Sequence, residues 1–176
     1  MIRFCTLALV ALALAACQGN GGAVSVRWRI SNLSTGETWD PTTARSNDGS
    51  CCSDHDFAHN CATTSIWVVH TVSVVLRDPA TDAPVPGIEP RTFLCDKRES
   101  TTPFDLPAGT FAIGLTAEVF DGLGNAAPGA LPPPEVRTIV RGEVVNLQDI
   151  QIGVQPLPSA SRPGVPLPGG TQMVTF

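Results

Sequence analysis

Eleven residues, CCSDHDFAHNC from Cys51 to Cys61, bring together three cysteines, two histidines four apart and two aspartates. Neutral imidazoles at His55 and His59 could converge on zinc from one helical turn, with Asp54 or Asp56 as an oxygen ligand. Reduced, the cysteines would add thiolates to such a site or form a redox centre. Oxidised, they would pin SDHDFAHN as a polar loop with Phe57 tucked underneath. Redox compartment decides between these outcomes, because thiolate zinc needs free cysteines and a bridge needs oxidation. Little else in the chain suggests chemistry. G-x-S-x-G, P-loop, G-x-G-x-x-G and H-E-x-x-H patterns do not occur. His70 falls inside a strand pattern and reads as a core or sheet-face residue. Asp121-Gly122-Leu123-Gly124-Asn125 lacks the alternating oxygen ligands of a calcium loop and reads as a hairpin turn. The expectation is a protein that is not an enzyme and carries no cofactor.

The compartment is read from the other end of the chain. MIRFCTLALVALALAAC carries Arg3 as its only charge, followed by an apolar run from Phe4 to Ala16 too short to cross a bilayer as a helix. Residues 1–16 therefore read as a secretory signal peptide. Its end, Leu14-Ala15-Ala16-Cys17, resembles the lipobox of bacterial lipoproteins. That resemblance implies cleavage before Cys17, acylation of Cys17 and anchoring by chains worth about 0.8 kcal/mol per buried methylene. In the sorting pattern of that family an aspartate after the cysteine retains the protein at the inner membrane. Gln18 stands there instead, which implies outer-membrane delivery and a cell-envelope location. Residues 17–23 then form the lipidated cysteine and a Gly-rich tether.

An exported chain meets an oxidising envelope, and Cys51, Cys52, Cys61 and Cys95 are an even set. Two disulfides are expected. A bridge between the neighbours Cys51 and Cys52 would need a distorted peptide, so these two should split between Cys61 and Cys95, in either arrangement.

The elements that must position these residues read as strands. In VSVRWRIS, Val24, Val26, Trp28 and Ile30 alternate with Ser25, Arg27, Arg29 and Ser31. In TFAIGLTAEVF, Phe111, Ile113, Leu115, Ala117 and Val119 alternate with the smaller and polar residues. Ile66–Asp78 is apolar on both faces (Ile66, Val68, Val72, Val74 and Leu76 against Trp67, Val69 and Val75), as in a central strand covered on both sides. Further strands are expected at 92–95, 101–106, 135–141 and 143–154, the last with a break near Gln148. Turn residues punctuate them. The fold class predicted is all-β: one antiparallel sandwich of about seven strands over residues 24–154, immunoglobulin-like or transthyretin-like, stapled by disulfides, with a long loop insertion at 33–64. FDLPAGTFAIGLTAEVFDGLGN and VRTIVRGEVVNLQDIQIGV are similar to the closing strands of transthyretin-like, carboxypeptidase-regulatory β-sandwiches. Residues 155–176, rich in Pro and Gly, are expected to be a disordered tail.

Without Arg3, ten Lys/Arg face sixteen Asp/Glu. The basic residues are scattered, which argues against nucleic-acid binding. The function expected is a non-catalytic binding or structural module held to the membrane by its N-terminal lipid and facing an envelope protein or a glycan. The alternative is a periplasmic metal-binding protein built on His55, His59, Asp54 and Asp56.

Overall fold

A computed structural model describes residues 20–155 apart from positions 63, 122 and 128. The signal segment, Cys17 and residues 156–176 lie outside the described residues, so the lipidation of Cys17 and the disorder of the tail are not addressed by it.

Strand β1 (Ala23–Asn32) follows directly from its alternation: Val24, Val26, Trp28 and Ile30 are all buried, and Arg27 and Arg29 are exposed. It organises a first sheet with β2 (Thr38–Trp39), β6 (Glu99–Thr101), β8 (Gly129–Ala130) and β10 (Val144–Val154). The order is β2-β1-β10-β8, and β6 shares the β2 edge of β1, lying against Ser25–Arg27 while β2 lies against Ile30 and Ser31. The second sheet has the order β3-β4-β7-β9, from β3 (Cys51–Cys52), β4 (Val68–Arg77), β7 (Gly109–Phe120) and β9 (Glu135–Ile139). Here β5 (Arg91–Leu94) shares the β3 edge of β4. Among the described residues seven strands have three or more residues; β2, β3 and β8 are two-residue additions, two of them inside the expected 33–64 insertion.

The sheets stack through one core that includes Trp28, Trp67, Ile30, Ile113, Ile139 and Ile152. Trp28 Nε1 donates to the Cys95 carbonyl at 2.9 Å, so the largest side chain of β1 is buried with its polar atom satisfied.

Three expectations are corrected. The sandwich is not wholly antiparallel: β1 and β10, the first and last strands, pair in parallel from Ala23↔Val144 to Asn32↔Val154. The break expected near Gln148 is present as a register shift between Asn146 and Asp149. A second shift between Val69 and Val72 places an extra residue in β4 at His70–Thr71. That bulge inverts the alternation, so Trp67 and Val69 join Val72, Val74 and Leu76 on the core face instead of opposing them. The strand expected at 101–106 ends at Thr101. After it the chain turns at Phe104–Asp105, and Leu106 enters the core.

The fold begins inside the expected tether. Gly21 N donates to the Phe104 carbonyl (3.1 Å) and Gly22 N to that of Leu106 (2.9 Å). A Cβ on Gly22 would stand 2.5 Å from both Ile139 Cγ2 and the Val140 oxygen. Only glycine lets the backbone pass there. The chain therefore enters at the pole of the sandwich formed by Leu106, Ile139 and Glu143.

Candidate functional site

Successive side chains of a strand point to opposite faces, which answers the question raised by adjacent cysteines. In β3, paired to Val69 and Val68, Cys51 belongs to the core and is bonded to Cys95, whereas Cys52 lies outside that cluster and is bonded to Cys61. The Cα separations are 5.6 and 5.7 Å, within the ordinary range for disulfides. One bridge ties β3 to the start of a 3-10 turn, Cys95–Lys97. The other closes the loop that carries the histidines.

Inside that loop the aspartates serve the backbone. Asp54 Oδ1 accepts from His55 N (2.9 Å), and its Oδ2 accepts from the Thr64 hydroxyl. Asp56 Oδ1 accepts from Ala58 N (2.8 Å) and Asn60 N (2.9 Å), and its Oδ2 from Asn60 Nδ2 (3.4 Å). Those donors, the Asn60 amide foremost, hold the Asp56 carboxyl below its ordinary pKa. His59 takes φ 58° and is exposed. His55 forms a bridge with Cys61, and its Nε2 is buried with no hydrogen-bond partner. The structure thus brings His55, His59, Asp54 and Asp56 onto one loop but does not converge them: among the described residues no three His, Cys, Asp or Glu side chains are grouped to hold a metal. Phe57 corrects the expectation outright. It is not tucked beneath the loop but stands 110% exposed at its tip.

The same arrangement occurs a second time. Asp121 Oδ1 accepts from Leu123 N and Asn125 N (2.9 Å each), and Asp121 Oδ2 accepts from Asn125 Nδ2 (3.0 Å). In both loops the aspartate amide donates to the asparagine carbonyl at 2.9 Å, and the residue before the asparagine, His59 or Gly124, has positive φ. Each aspartate closes a five-residue turn and leaves an apolar side chain outside, Phe57 in one and Leu123, 61% exposed, in the other. The signal was present in the sequence as two D-x-x-x-N spacings, Asp56 to Asn60 and Asp121 to Asn125.

The chain leaves for both loops from one end of the sandwich, but the Phe57 turn folds back past Cys52, where the His59 carbonyl accepts from Asn47 N at 3.0 Å and the Ala58 carbonyl from Asn47 Nδ2. Cys52 and Phe120 both pair with Val68, so the chain leaves β3 and β7 toward the same pole. Gly129 sits between Val119 of β7 and Gly153 of β10, and Asn32 pairs with Val154. The first sheet therefore ends at that pole too, with Leu33, 49% exposed, following β1. The fold's N-terminal residues are at the opposite pole.

His70, on the β4 bulge, is exposed; its ring packs edge-on to Phe120 at 5.2 Å, and Nδ1 lies 2.8 Å from Ser50 Oγ. A Ser–His pair at this distance is the first requirement of an activated nucleophile. Here Ser50 is buried, and the nearby carboxylate, Asp48, accepts from Ser50 N (3.0 Å) instead of orienting the imidazole. The Ser46 hydroxyl, the largest influence, holds Asp48 below its ordinary pKa. The pair ties the segment before β3 to the bulge. Compared with known proteins, the chain matches no family model, no curated protein and no solved structure.

Proposed function

We propose that this chain is a lipid-anchored envelope lipoprotein, acylated at Cys17 and sorted to the outer membrane, whose β-sandwich is a non-catalytic binding module. The observation that carries the reading is the LAAC segment closing a short apolar leader. Two structural facts support it. Backbone pairing starts at Gly21, a few residues after Cys17, so an anchor there would hold one pole of the sandwich close to the bilayer. Both disulfides suit an oxidising compartment. A protein or glycan partner would be met by the rest of the surface, without catalysis.

Labelled palmitate supplies the test. Wild-type protein should take up label and fractionate with membranes, and Cys17→Ser should abolish both. Unlabelled, freely soluble wild type would overturn the lipoprotein reading.

A further inference from the structure

The chain enters the fold between two turns that leave apolar side chains in the open. Gly21 N donates to the Phe104 carbonyl (3.1 Å), Gly142 N to that of Gly21 (3.0 Å) and Ala23 N to that of Glu143 (2.9 Å). Phe104 therefore flanks the entry on one side. Val140 and Val144, before and after the Gly142 turn, flank it on the other. The three are 40%, 44% and 42% exposed.

We infer that this pole is a membrane-contact surface: Phe104, Val140 and Val144 enter the interfacial layer of the bilayer that holds the Cys17 lipid. The inference rests on the anchored reading above and adds to it a second contact, made by the protein itself. Tether length names the occupant. Gly21 lies four residues beyond Cys17, a span of at most about 14 Å when fully extended. A folded domain of about 100 residues has a radius of gyration of about 13 Å, so none fits between the entry point and the lipid. Within reach instead is the polar layer of the bilayer, roughly 5–7 Å deep over the hydrocarbon. Exposed apolar patches are the surfaces that meet membranes or partners, and a contact tethered this closely needs little affinity of its own, because the anchor supplies a high effective concentration. Charge does not supply the attraction. Arg77 pairs with Asp82 (3.8 Å) and Arg91 with Asp105 (2.7 Å), Arg141 stands two residues from Glu143, and Asp78 and Glu89 remain, so the connections at this pole are weakly acidic. The contact is apolar and indifferent to anionic lipid. It holds the strands end-on to the bilayer, where the lipid alone would fix one point.

The experiment uses the full lipidated chain, purified from its producing cells and reconstituted in phosphatidylcholine vesicles whose acyl chains carry bromine, a short-range quencher of tryptophan. Phe104→Trp is one reporter and Val140→Trp a second; Leu123→Trp, beyond the far end of β7, is the control. Wild type, with Trp28, Trp39 and Trp67, gives the background. All three sites are exposed, so the variants should melt as wild type does, and either reporter suffices if the other fails to fold. Brominated chains should quench the added fluorescence at positions 104 and 140 and leave that at 123 unchanged, equally at low and high salt and with or without anionic lipid. Quenching at 123 as strong as at 104, none at 104 and 140, or quenching only with anionic lipid would overturn the inference. So would a blue shift at 104 without quenching, which would mean that a second copy or another protein covers the pole. Palmitate labelling of the same preparations reports the anchor separately: label without quenching sinks the pole contact alone, and absence of label sinks the anchored reading beneath it.

Discussion

His59 and Gly124 occupy the same place in two copies of one turn, and their side chains make opposite predictions. At φ 58° a β-carbon crowds the backbone, at a cost of roughly 1–2 kcal/mol that glycine avoids. His59→Gly should therefore be neutral or stabilising by up to about 1 kcal/mol, and Gly124→His should cost about that much, both read from urea melts. A large loss in His59→Gly would mean that the imidazole holds the loop, as a metal ligand would. The turn itself depends on its acceptor. Asp56→Ala strands the amides of Ala58 and Asn60 and should cost about 1 kcal/mol, the usual size for a lost cap. At this scale the sequence was legible in residue types but not in their direction. The polar character of SDHDFAHN was evident, yet Phe57 was read inward because burial is the default for phenylalanine, and only the clasp explains why this one is held outside.

Among the elements, β3 shows how much two residues can carry. Cys51–Cys95 closes a separation of 44 residues from within the core, and Cys52–Cys61 closes one of 9 at the surface. Chain-entropy reasoning gives about 4 kcal/mol for the long loop and about 2.6 for the short one. Cys95→Ala should thus destabilise more than Cys61→Ala, both on the order of 2–5 kcal/mol, and peptide mapping should show no Cys51–Cys52 link. A free thiol at Cys51 in the wild-type peptide map would indicate that Cys51–Cys95 is not bonded in solution. Strand β1 could be read outright because its alternation runs unbroken. Strand β4 was found by its composition but assigned the wrong pair of faces beyond the bulge: one inserted residue at His70–Thr71 exchanges the two sides, and nothing in VVHTVSVV marks the insertion. The edge strands β2, β3 and β8 are too short to have any period. They exist because β1, β4 and β10 offer unpaired edges.

For the whole molecule, two stacked sheets followed from strand spacing and turn chemistry, while their internal order did not, since pairing is decided by contacts between residues far apart in the chain. One global property can be calculated in sign. Asp40, Asp48, Asp56 and Asp78 all have depressed pKa values, chiefly through hydrogen bonds from Thr42, Ser46, Asn60 and Ala80 respectively. A carboxyl depressed in the folded state stabilises above its unfolded value, about 3.9, and that contribution disappears as pH falls through the folded value, where the unfolded chain binds more protons. Melting temperature should be level above about pH 5 and decline below about pH 4, and Asp48→Asn should shallow the decline. A plateau reaching pH 2 would contradict this.

The parallel pairing of β1 with β10 also fixes an order in time. The ribosome makes Ala23–Asn32 first and Val144–Val154 last, yet each is the other's longest neighbour. Until the end of the domain has been synthesised, the strand carrying Val24, Val26, Trp28 and Ile30 has one edge and one apolar face without their native cover. Closing that pair brings together the two ends of the domain, the slowest kind of contact for a folding chain to find. The second sheet, whose β4–β7 pairing lies wholly inside the chain, can form while the first strand is still waiting. The protein is therefore most vulnerable to aggregation, and most dependent on whatever escorts it, in the interval before its last eleven-residue strand arrives.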